Sequence, residues 1–432
     1  MVLNQLPPQN LLATDHHSFA QSKTQVGKAD RLQLDYDVAI VGGGIVGLTL
    51  ASALKQSGLK IALIEAKPRT AGLERRRAYH VTLTSSKIFA GLGIWAKILP
   101  KITAFQQIHL ADADYPAVVR FQPTDLGTEA LGYVAEHRVL LQALQESLTE
   151  TQVSWLCPAE VLAADYQPDC VTLTVSTQGK VQSIKTRLLV AADGTRSPMR
   201  QQAGIGTHGW QYWQSCVTAV IQPEKSHGNI AREHFWESGP FATLPLPDNR
   251  CQIVLTAPHA EAKALMELSK AEFLAELDRR YAGQLGRLTL VSDRLLFPVQ
   301  LMHSDRYTLP RLALIGDAAH CCHPVGGQGL NMGIRDAAAL AQVLQKAFHQ
   351  GEDIGTLKVL KRYEHWRWLE NLAILGFTDL LDRCFSTNWL PLLFSRRLGL
   401  RVMRSLRPLK GLALRLMTGL SGRLPDLAKP SL

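Results

Sequence analysis

The chain lacks any C-x-x-C pair, and its seven cysteines follow no regular spacing. That odd count without a framework argues against a disulfide scaffold and fits a reduced, cytosol-facing protein. Cys321 and Cys322 are adjacent, a poor geometry for a metal site, and they read as packing residues. The first 34 residues are polar and lack an apolar h-region, so they show no secretory signal and are expected to form a loose tail. A membrane-spanning run is also missing. The longest uncharged apolar stretch, Val38 to Leu54, is short for a span and holds a glycine cluster. Acidic residues vanish between Cys384 and Arg423, where Arg396, Arg397, Arg401, Arg404, Arg407, Lys410, Arg415 and Arg423 gather, so the net charge of +10 is concentrated near the C-terminus. No aromatic stacking platform accompanies that charge, which argues against nucleic acid as a partner.

What remains is an ordinary globular composition, 46% apolar and 19% charged over 432 residues, long enough for two or three structural units. The organising stretch is Asp37 to Leu54, continued by Ile61 to Glu65. A β-branched run (Val38 to Val41) leads into Gly42-Gly43-Gly44-Ile45-Val46-Gly47. An apolar-periodic helix over about Leu48 to Gln56 follows, and then a second strand ending on an acid. This is the strand–turn–helix–strand fingerprint of a dinucleotide site. Gly42 makes the tight turn, Gly44 lets the backbone approach a pyrophosphate, and Gly47 lets the helix pack on the strand. The helix N-terminus faces the phosphates. Glu65 stands where a carboxylate binds both hydroxyls of an adenosine ribose and repels a 2′-phosphate.

Arg75, Arg76 and Arg77 follow in a loop; they either contact the cofactor or form a solvated turn. Gly132 to Leu148 reads as a second strand–helix unit. Val153 to Trp155, Val161 to Ala164 and Val171 to Val175 read as strands, the last two a hairpin. Ile108 to Phe121, with Pro116, reads as edge strands of an antiparallel sheet. A buried strand, Leu188 to Ala192, ends on Asp193-Gly194, with Ser197-Pro198 opening a helix. An Asp-Gly at a parallel strand's carboxyl end is where doubly wound folds bind ligands, although a plain turn uses the same dipeptide. From about 208 to 303 short strand-like pieces suggest an antiparallel sheet interrupted by one helix, Lys263 to Tyr281.

The third stretch runs from Arg311 to Asp336. A strand ends in Gly316-Asp317, a Pro/Gly loop follows, and a long helix opens near Leu330. An acid for a polyol hydroxyl, together with free N–H groups at a helix N-terminus, suits a flavin whose reduced ring is anionic on its N1 and O2 side.

Together the three stretches resemble the single-component (class A) flavoprotein aromatic monooxygenases, and within them the ubiquinone-biosynthesis hydroxylases. Gly42, Gly44, Gly47 and Glu65 match the ADP-binding motif. Asp193-Gly194 matches the family's DG motif, and Gly316-Asp317 its GD motif. Arg77-Ala78 with Thr82 and Ser85, Gly239-Pro240 with Leu244-Pro245-Leu246, and Gly327-Gln328-Gly329-Leu330-Asn331 match the quinone branch. The resemblance implies that Arg77 and either His137 or Arg138 contact FAD, that Asp317 binds the ribitol, and that Gly327 and Gly329 to Asn331 hold the pyrimidine end. His137 stands where the branch often has asparagine, and Gly326 where it often has alanine.

The implied fold is α/β: a Rossmann-like FAD-binding domain in pieces (35–102, 131–207, 304–347), an inserted antiparallel β-sheet substrate domain (103–130, 208–303) and a helical C-terminal region (348–432). The implied reaction uses NAD(P)H and O2, by way of a flavin C4a-hydroperoxide, to hydroxylate a polyprenylated phenol. The cofactor carries that chemistry, so no nucleophile triad, metal or named base is expected, and His320 and His323 read as structural. A prenyl-chain reductase or epoxidase, or a non-catalytic flavoprotein scaffold, would share these motifs. A two-cysteine disulfide reductase would need a C-x-x-x-x-C after Glu65, which is absent. Leu398, Val402, Leu406, Leu409, Leu412, Leu416 and Leu420 recur at helical spacing, with Arg397, Arg401, Arg404, Arg407 and Arg415 on another face and Pro408 as an interruption. That pattern suits a helix lying on an anionic membrane. A core-packed helix or a partner-binding face, for example for other enzymes of the quinone pathway, is the alternative. The expected location is cytoplasmic, peripheral to the membrane.

Overall fold

The computed structural model describes residues 33–112, 118–387 and 389–429. The tail expected over residues 1–34 falls almost wholly outside them, as does Pro116. The organising element is a sheet whose central strands all run parallel. Leu312–Leu314 pairs with Lys180–Ala191, which pairs with Tyr36–Val41, then Ile61–Ile64, then Val153–Leu156. These strands are almost continuously apolar, as strands covered on both faces must be: Val38, Ala39, Ile40, Leu63, Leu189, Val190 and Leu314 are all fully buried. The order has a direct functional consequence. It sets Gly316-Asp317, Asp193, Gly42 and Glu65 side by side at the carboxyl ends of four neighbouring strands, where open α/β sheets bind ligands. The Glu160–Tyr166 and Val171–Thr177 strands form the expected antiparallel pair at this sheet's margin.

A nine-stranded sheet stands beside it, built mainly from Thr207–Pro223, Ile230–Trp236, Gly239–Leu246, Arg250–Pro258 and Leu295–Ser304. Strand alternation divides its residues. Val217, Ala219, Ile221, Ile253 and Leu255 pack under Phe273, Leu277 and Tyr281, each buried aliphatic or aromatic side chain contributing about 1.5–3 kcal/mol. The intervening positions face the other way, into the cavity described below. The sheet departs from the expected pattern at one seam. Gln107–Asp112 pairs antiparallel with Val119–Phe121 but parallel with Ile230–Trp236, because this strand arrives from a distant part of the chain rather than through a hairpin.

Two local expectations are corrected. Gly132–Glu136 does lead into the His137–Ser147 helix, but it lies in a separate three-stranded sheet with Ala78–Val81 and Thr103–Phe105. The helix expected over Lys263 to Tyr281 is two helices, His259–Glu267 and Lys270–Tyr281. Ser269 and Glu272 form a capping box that starts the second one afresh. The basic C-terminal stretch is interrupted at Pro408, as expected, giving Leu390–Ser405 and Arg407–Met417 with Pro408 in the first turn of the second helix.

The long Leu357–Phe385 helix and these two C-terminal helices close over the nine-stranded sheet. Phe385 stacks on Phe235 at 3.9 Å, and Leu400 and Leu414 are buried in the same cluster. Arg396 grips Asp112 through two hydrogen bonds of 3.0 and 3.1 Å, both side chains nearly inaccessible. Lys410 reaches Asp125 and the Arg120 carbonyl. Arg397 also reaches Asp112, at 3.5 Å, so three of the basic residues are structural ties. No helix among the described residues is long and apolar enough to cross a membrane.

Candidate cofactor and substrate site

One cavity of about 870 Å³ runs from the glycine turn, past the four strand ends, into an apolar chamber under the C-terminal helices. At its dinucleotide end Gly42 has φ +112°, and a Cβ there would sit 2.3 Å from the Ala192 carbonyl oxygen. A Cβ on Gly47 would lie 2.0 Å from the Gly42 carbonyl oxygen, so helix and turn touch backbone to backbone. Above Gly44 nothing lies within 4 Å of such a position, which leaves the backbone open to an approaching group. The helix that follows is Ile45–Leu54, with no side chain capping its N-terminus. Glu65 accepts hydrogen bonds from the Gly43 N–H (2.7 Å) and the Lys67 N–H (2.9 Å), one on each carboxylate oxygen. The carboxylate is thereby fixed in direction while keeping lone pairs free. Arg69 lies over the Trp155 ring at 3.9 Å and shares this wall.

Midway along, Asp193 and Asp317 line the cavity. Asp193 accepts from the Met199 N–H through Oδ2, while its buried Oδ1 has no partner. Burial raises its carboxyl, against the pull of Ser197 and nearby N–H groups. Gly194 lines the cavity beside it. Asp317 faces the cavity without a hydrogen-bonding side chain among the described residues. Burial raises its carboxyl too, with His320 and Arg77 opposing.

The three arginines of the loop divide: Arg75 and Arg77 line the cavity and Arg76 does not. Arg77 packs its guanidinium over Phe297 at 4.7 Å and Tyr79 at 5.3 Å. Of the two alternatives at the next helix, His137 faces the cavity beside Tyr79, with Nδ1 3.3 Å from the phenol oxygen. Burial, then Arg75 and Arg77, push its pKa down to about 4, so the ring is neutral. Arg138 points outward and pairs with Glu136 at 2.9 Å, away from the cavity. The reason is register: His137 is the first residue of the helix and the next position turns to solvent.

At the far side the Gly329–His349 helix opens with no side-chain cap, and Gly327, Gly329 and Leu330 line the cavity there. Its first-turn N–H groups lack intrahelical acceptors. Asn331 is placed differently from the other members of that loop. Its side chain, fully buried, accepts from the Thr82 N–H (2.9 Å) and the Ser85 hydroxyl (2.7 Å). It donates to the His80 and Gly327 carbonyls, each at 2.8 Å. It is a clamp that holds the loop in place rather than a group directed into the cavity, and Thr82 and Ser85 are its partners.

Behind the Gly316 turn lies a buried network that sequence reasoning missed. Asp336 accepts from the Gly316 N–H (3.1 Å), His320 Nε2 (2.5 Å), Arg367 Nε (2.8 Å) and Asn371 Nδ2 (3.0 Å). Burial alone would raise the Asp336 carboxyl, but His320 and Arg367 outweigh it and hold it well below the usual carboxylate range. His323 is buried, packed against Tyr212 and Gln214, with its pKa pushed down to about 3 by burial. Neither histidine reaches the cavity.

The chamber itself is walled by Phe105, Phe121, Phe235, Leu244, Leu381 and Met403, among others. One carboxylate, Glu233, stands among these apolar groups.

Residues 35–370 match the family described as FAD binding domain. The chain is 54% identical to an uncharacterized protein (slr1300) of Synechocystis, over 91% of this chain and 95% of that one. It is 36% identical to the ubiquinone hydroxylase UbiL of Rhodospirillum rubrum, over 90% of each. Among solved structures, the p-nitrophenol 4-monooxygenase PnpA of Pseudomonas putida superposes with a TM-score of 0.75 at 19% identity, covering 90% of this chain and 98% of that one. That likeness concerns the fold.

Proposed function

The chain belongs to the FAD binding domain family, and on that premise we propose that it is an FAD-dependent monooxygenase that hydroxylates the ring of a polyprenylated phenol in quinone biosynthesis. NAD(P)H and O2 are its co-substrates. One observation carries this reading: a single cavity joins the dinucleotide cradle to a chamber walled mainly by apolar and aromatic side chains. A redox-active ring and a lipid-like aromatic ring would share one water-poor enclosure.

The residues fit FAD. Bound there, the cofactor would supply hydride acceptance and oxygen transfer. Gly44 leaves room for the pyrophosphate, and Glu65, aimed by two N–H groups, binds the adenosine ribose. Asp317, unpartnered at the cavity wall, takes a ribityl hydroxyl. The orphan Oδ1 of Asp193 awaits a donor of the same kind. Arg77 and His137 line the same cavity and would flank the flavin, His137 as a neutral ring. The N-terminus of the Gly329–His349 helix, clamped by Asn331, stabilises negative charge at the pyrimidine end.

The substrate's lipid character bears on where the protein works. Trp389, Leu390, Phe394, Leu398, Leu406 and Leu412 are each more than half exposed, and Arg401, Arg404, Arg407 and Arg415 are exposed on the same two helices. This face suits peripheral docking on an anionic lipid surface. Co-sedimentation with vesicles containing phosphatidylglycerol tests it. Binding that weakens in high salt and in Phe394→Glu/Leu398→Glu supports docking; indifference to both removes it.

Mass spectrometry of lipid extracts from cells with and without the gene tests the reaction. A prenylated phenol lacking one oxygen, accumulating only in the knockout, is the expected result. Unchanged quinones with altered chain saturation would overturn ring hydroxylation in favour of a reductase.

A further inference from the structure

The cavity wall holds four carboxylates: Glu65, Asp193, Asp317 and Glu233. The first three sit at the carboxyl ends of the parallel strands and have cofactor work to do. Glu233 lies on the Ile230–Trp236 strand of the other sheet, opposite Ala242 on one side and Leu110 on the other. Alternation puts it on the inward face with Ala231 and Phe235, both buried. It makes no ion pair or hydrogen bond with any described side chain, and the Gly326 backbone N–H is the relief it receives. A carboxylate placed on the apolar face of a strand, unpaired, beside the flavin-end loop, is costly to the fold. A group kept there at such cost faces something polar that enters the cavity.

We propose that Glu233 receives the substrate's ring hydroxyl and accepts its proton. The proposal rests on a phenol being the substrate. The step is a proton transfer without redox change. The ring O–H bond breaks, a carboxyl O–H bond forms, and the electron pair stays on the ring oxygen, enriching the carbons ortho and para to it. The product is a neutral Glu233 carboxyl hydrogen-bonded to a phenolate.

The other titratable groups nearby do not compete for this task. His80 is turned so that Nδ1 meets the Gly326 carbonyl at 3.1 Å, while Nε2 is sealed against Gly132 and Phe105. Burial lowers its pKa, so it is neutral. Cys216, from the Thr207–Pro223 strand, has its thiol pushed up to about 12 by burial. Arg77 stands toward the flavin end. Arg232 also borders the cavity, but its guanidinium donates to the His227 and Ile230 carbonyls; with His234 it alternates with Glu233 on its own strand and groups with His109 and Arg120 from the neighbouring strands. From the C-terminal helices the cavity receives Phe377, Leu381, Met403 and Met417, all uncharged. Burial pushes the Glu233 carboxyl up to about 8, closer to a phenol's pKa of about 10 than an ordinary glutamate's.

The test uses flavin-loaded enzyme and 2-prenyl-4-nitrophenol, a phenol already ionised near neutral pH, with binding followed by flavin fluorescence. In the wild type one proton is held between carboxyl and phenolate, so affinity should fall about tenfold per pH unit above the Glu233 pKa of about 8. In Glu233→Gln it should be flat there. Turnover of a simple prenylphenol should fall on the order of 10²–10⁴-fold in that variant, with flavin content unchanged. Should the Gln variant fail to fold, Glu233→Asp decides: a displaced binding profile supports the assignment and an unchanged one overturns it. A wild-type profile without the high-pH fall, or the same fall in Glu233→Gln, also overturns it. Failure of the probe to bind the wild type overturns this assignment and the phenol reading together. Normal Glu233 behaviour with no ring oxygenation would leave the assignment standing and sink the hydroxylase reading.

Discussion

Replacing Asp336 by Asn changes one buried oxygen into an amide nitrogen and removes the charge on which four donors converge. The pair it makes with Arg367 is 0% and 1% exposed, so solvent cannot take its place. Removing one partner of a pair this deep costs about 3–5 kcal/mol. Glu370 and Asn371 still hold Arg367, which places the expected loss at the lower end. For 432 residues the unfolding entropy is roughly 0.9 kcal/mol per kelvin, so the melting temperature should drop by about 3–6 °C. Because Asp336 also anchors the Gly316 N–H, FAD affinity should fall as well, although Asp336 never enters the cavity. Thermal melts followed by circular dichroism, with flavin fluorescence titrations beside them, measure both effects. The double variant Asp336→Leu/Arg367→Leu removes both charges and should recover part of the lost stability. A drop below about 1 °C in Asp336→Asn, or a double variant worse than the single, would refute the reasoning.

Other substitutions separate cradle from core. Gly44→Val should leave stability nearly unchanged and abolish flavin retention, because its side chain projects into open space; Gly47→Ala should instead destabilise by about 1–3 kcal/mol or more through its backbone clash. Flavin-to-protein ratio and melting temperature read the two apart. Asp317→Ala should weaken FAD binding on the order of 10- to 100-fold, the worth of a charged hydrogen bond, measured by equilibrium dialysis. His137 and His323 have folded pKa values depressed to about 4 and about 3. Between these values and about 6.5 the unfolded chain binds more protons. Their stabilisation is therefore complete above about pH 6.5 and is lost as pH falls. Because the raised carboxyls of Glu233, Asp193 and Asp317 act in the opposite sense, the check is a difference: between about pH 7.5 and 5 the urea midpoint of the wild type should fall by more than that of His323→Phe, and an equal change in the two would contradict the burial of this ring.

The three glycine-and-acid stretches were legible because each is local: strand, turn and helix follow one another within some thirty residues, and the sheet merely aligns their ends. What depended on distant partners was not. Asn331 matches a motif, yet its side chain is spent on Thr82 and Ser85, some 250 positions away in sequence. Arg138 and His137 are adjacent and both polar; the orientation of one helix turn separates them. The parallel pairing of Gln107–Asp112 with Ile230–Trp236 crosses more than a hundred residues and leaves no local trace. Glu233 did leave one. In Ala231-Arg232-Glu233-His234-Phe235 the acid shares alternation with alanine and phenylalanine rather than with the charged pair, a sign of an inward-facing polar group.

The C-terminal helices have two working sides. Leu400, Met403 and Leu414 belong to the chamber's surroundings, while Leu398, Leu406 and Leu412 project outward a turn away. The same pair of helices would then be both ceiling and keel. Docked on lipid through that outward face, as proposed, such an enzyme would meet its substrate in two dimensions: its rate would follow the mole fraction of prenylphenol in the lipid, not the moles per litre in the tube. Diluting the substrate with inert lipid at constant bulk concentration would slow it, and adding buffer would not.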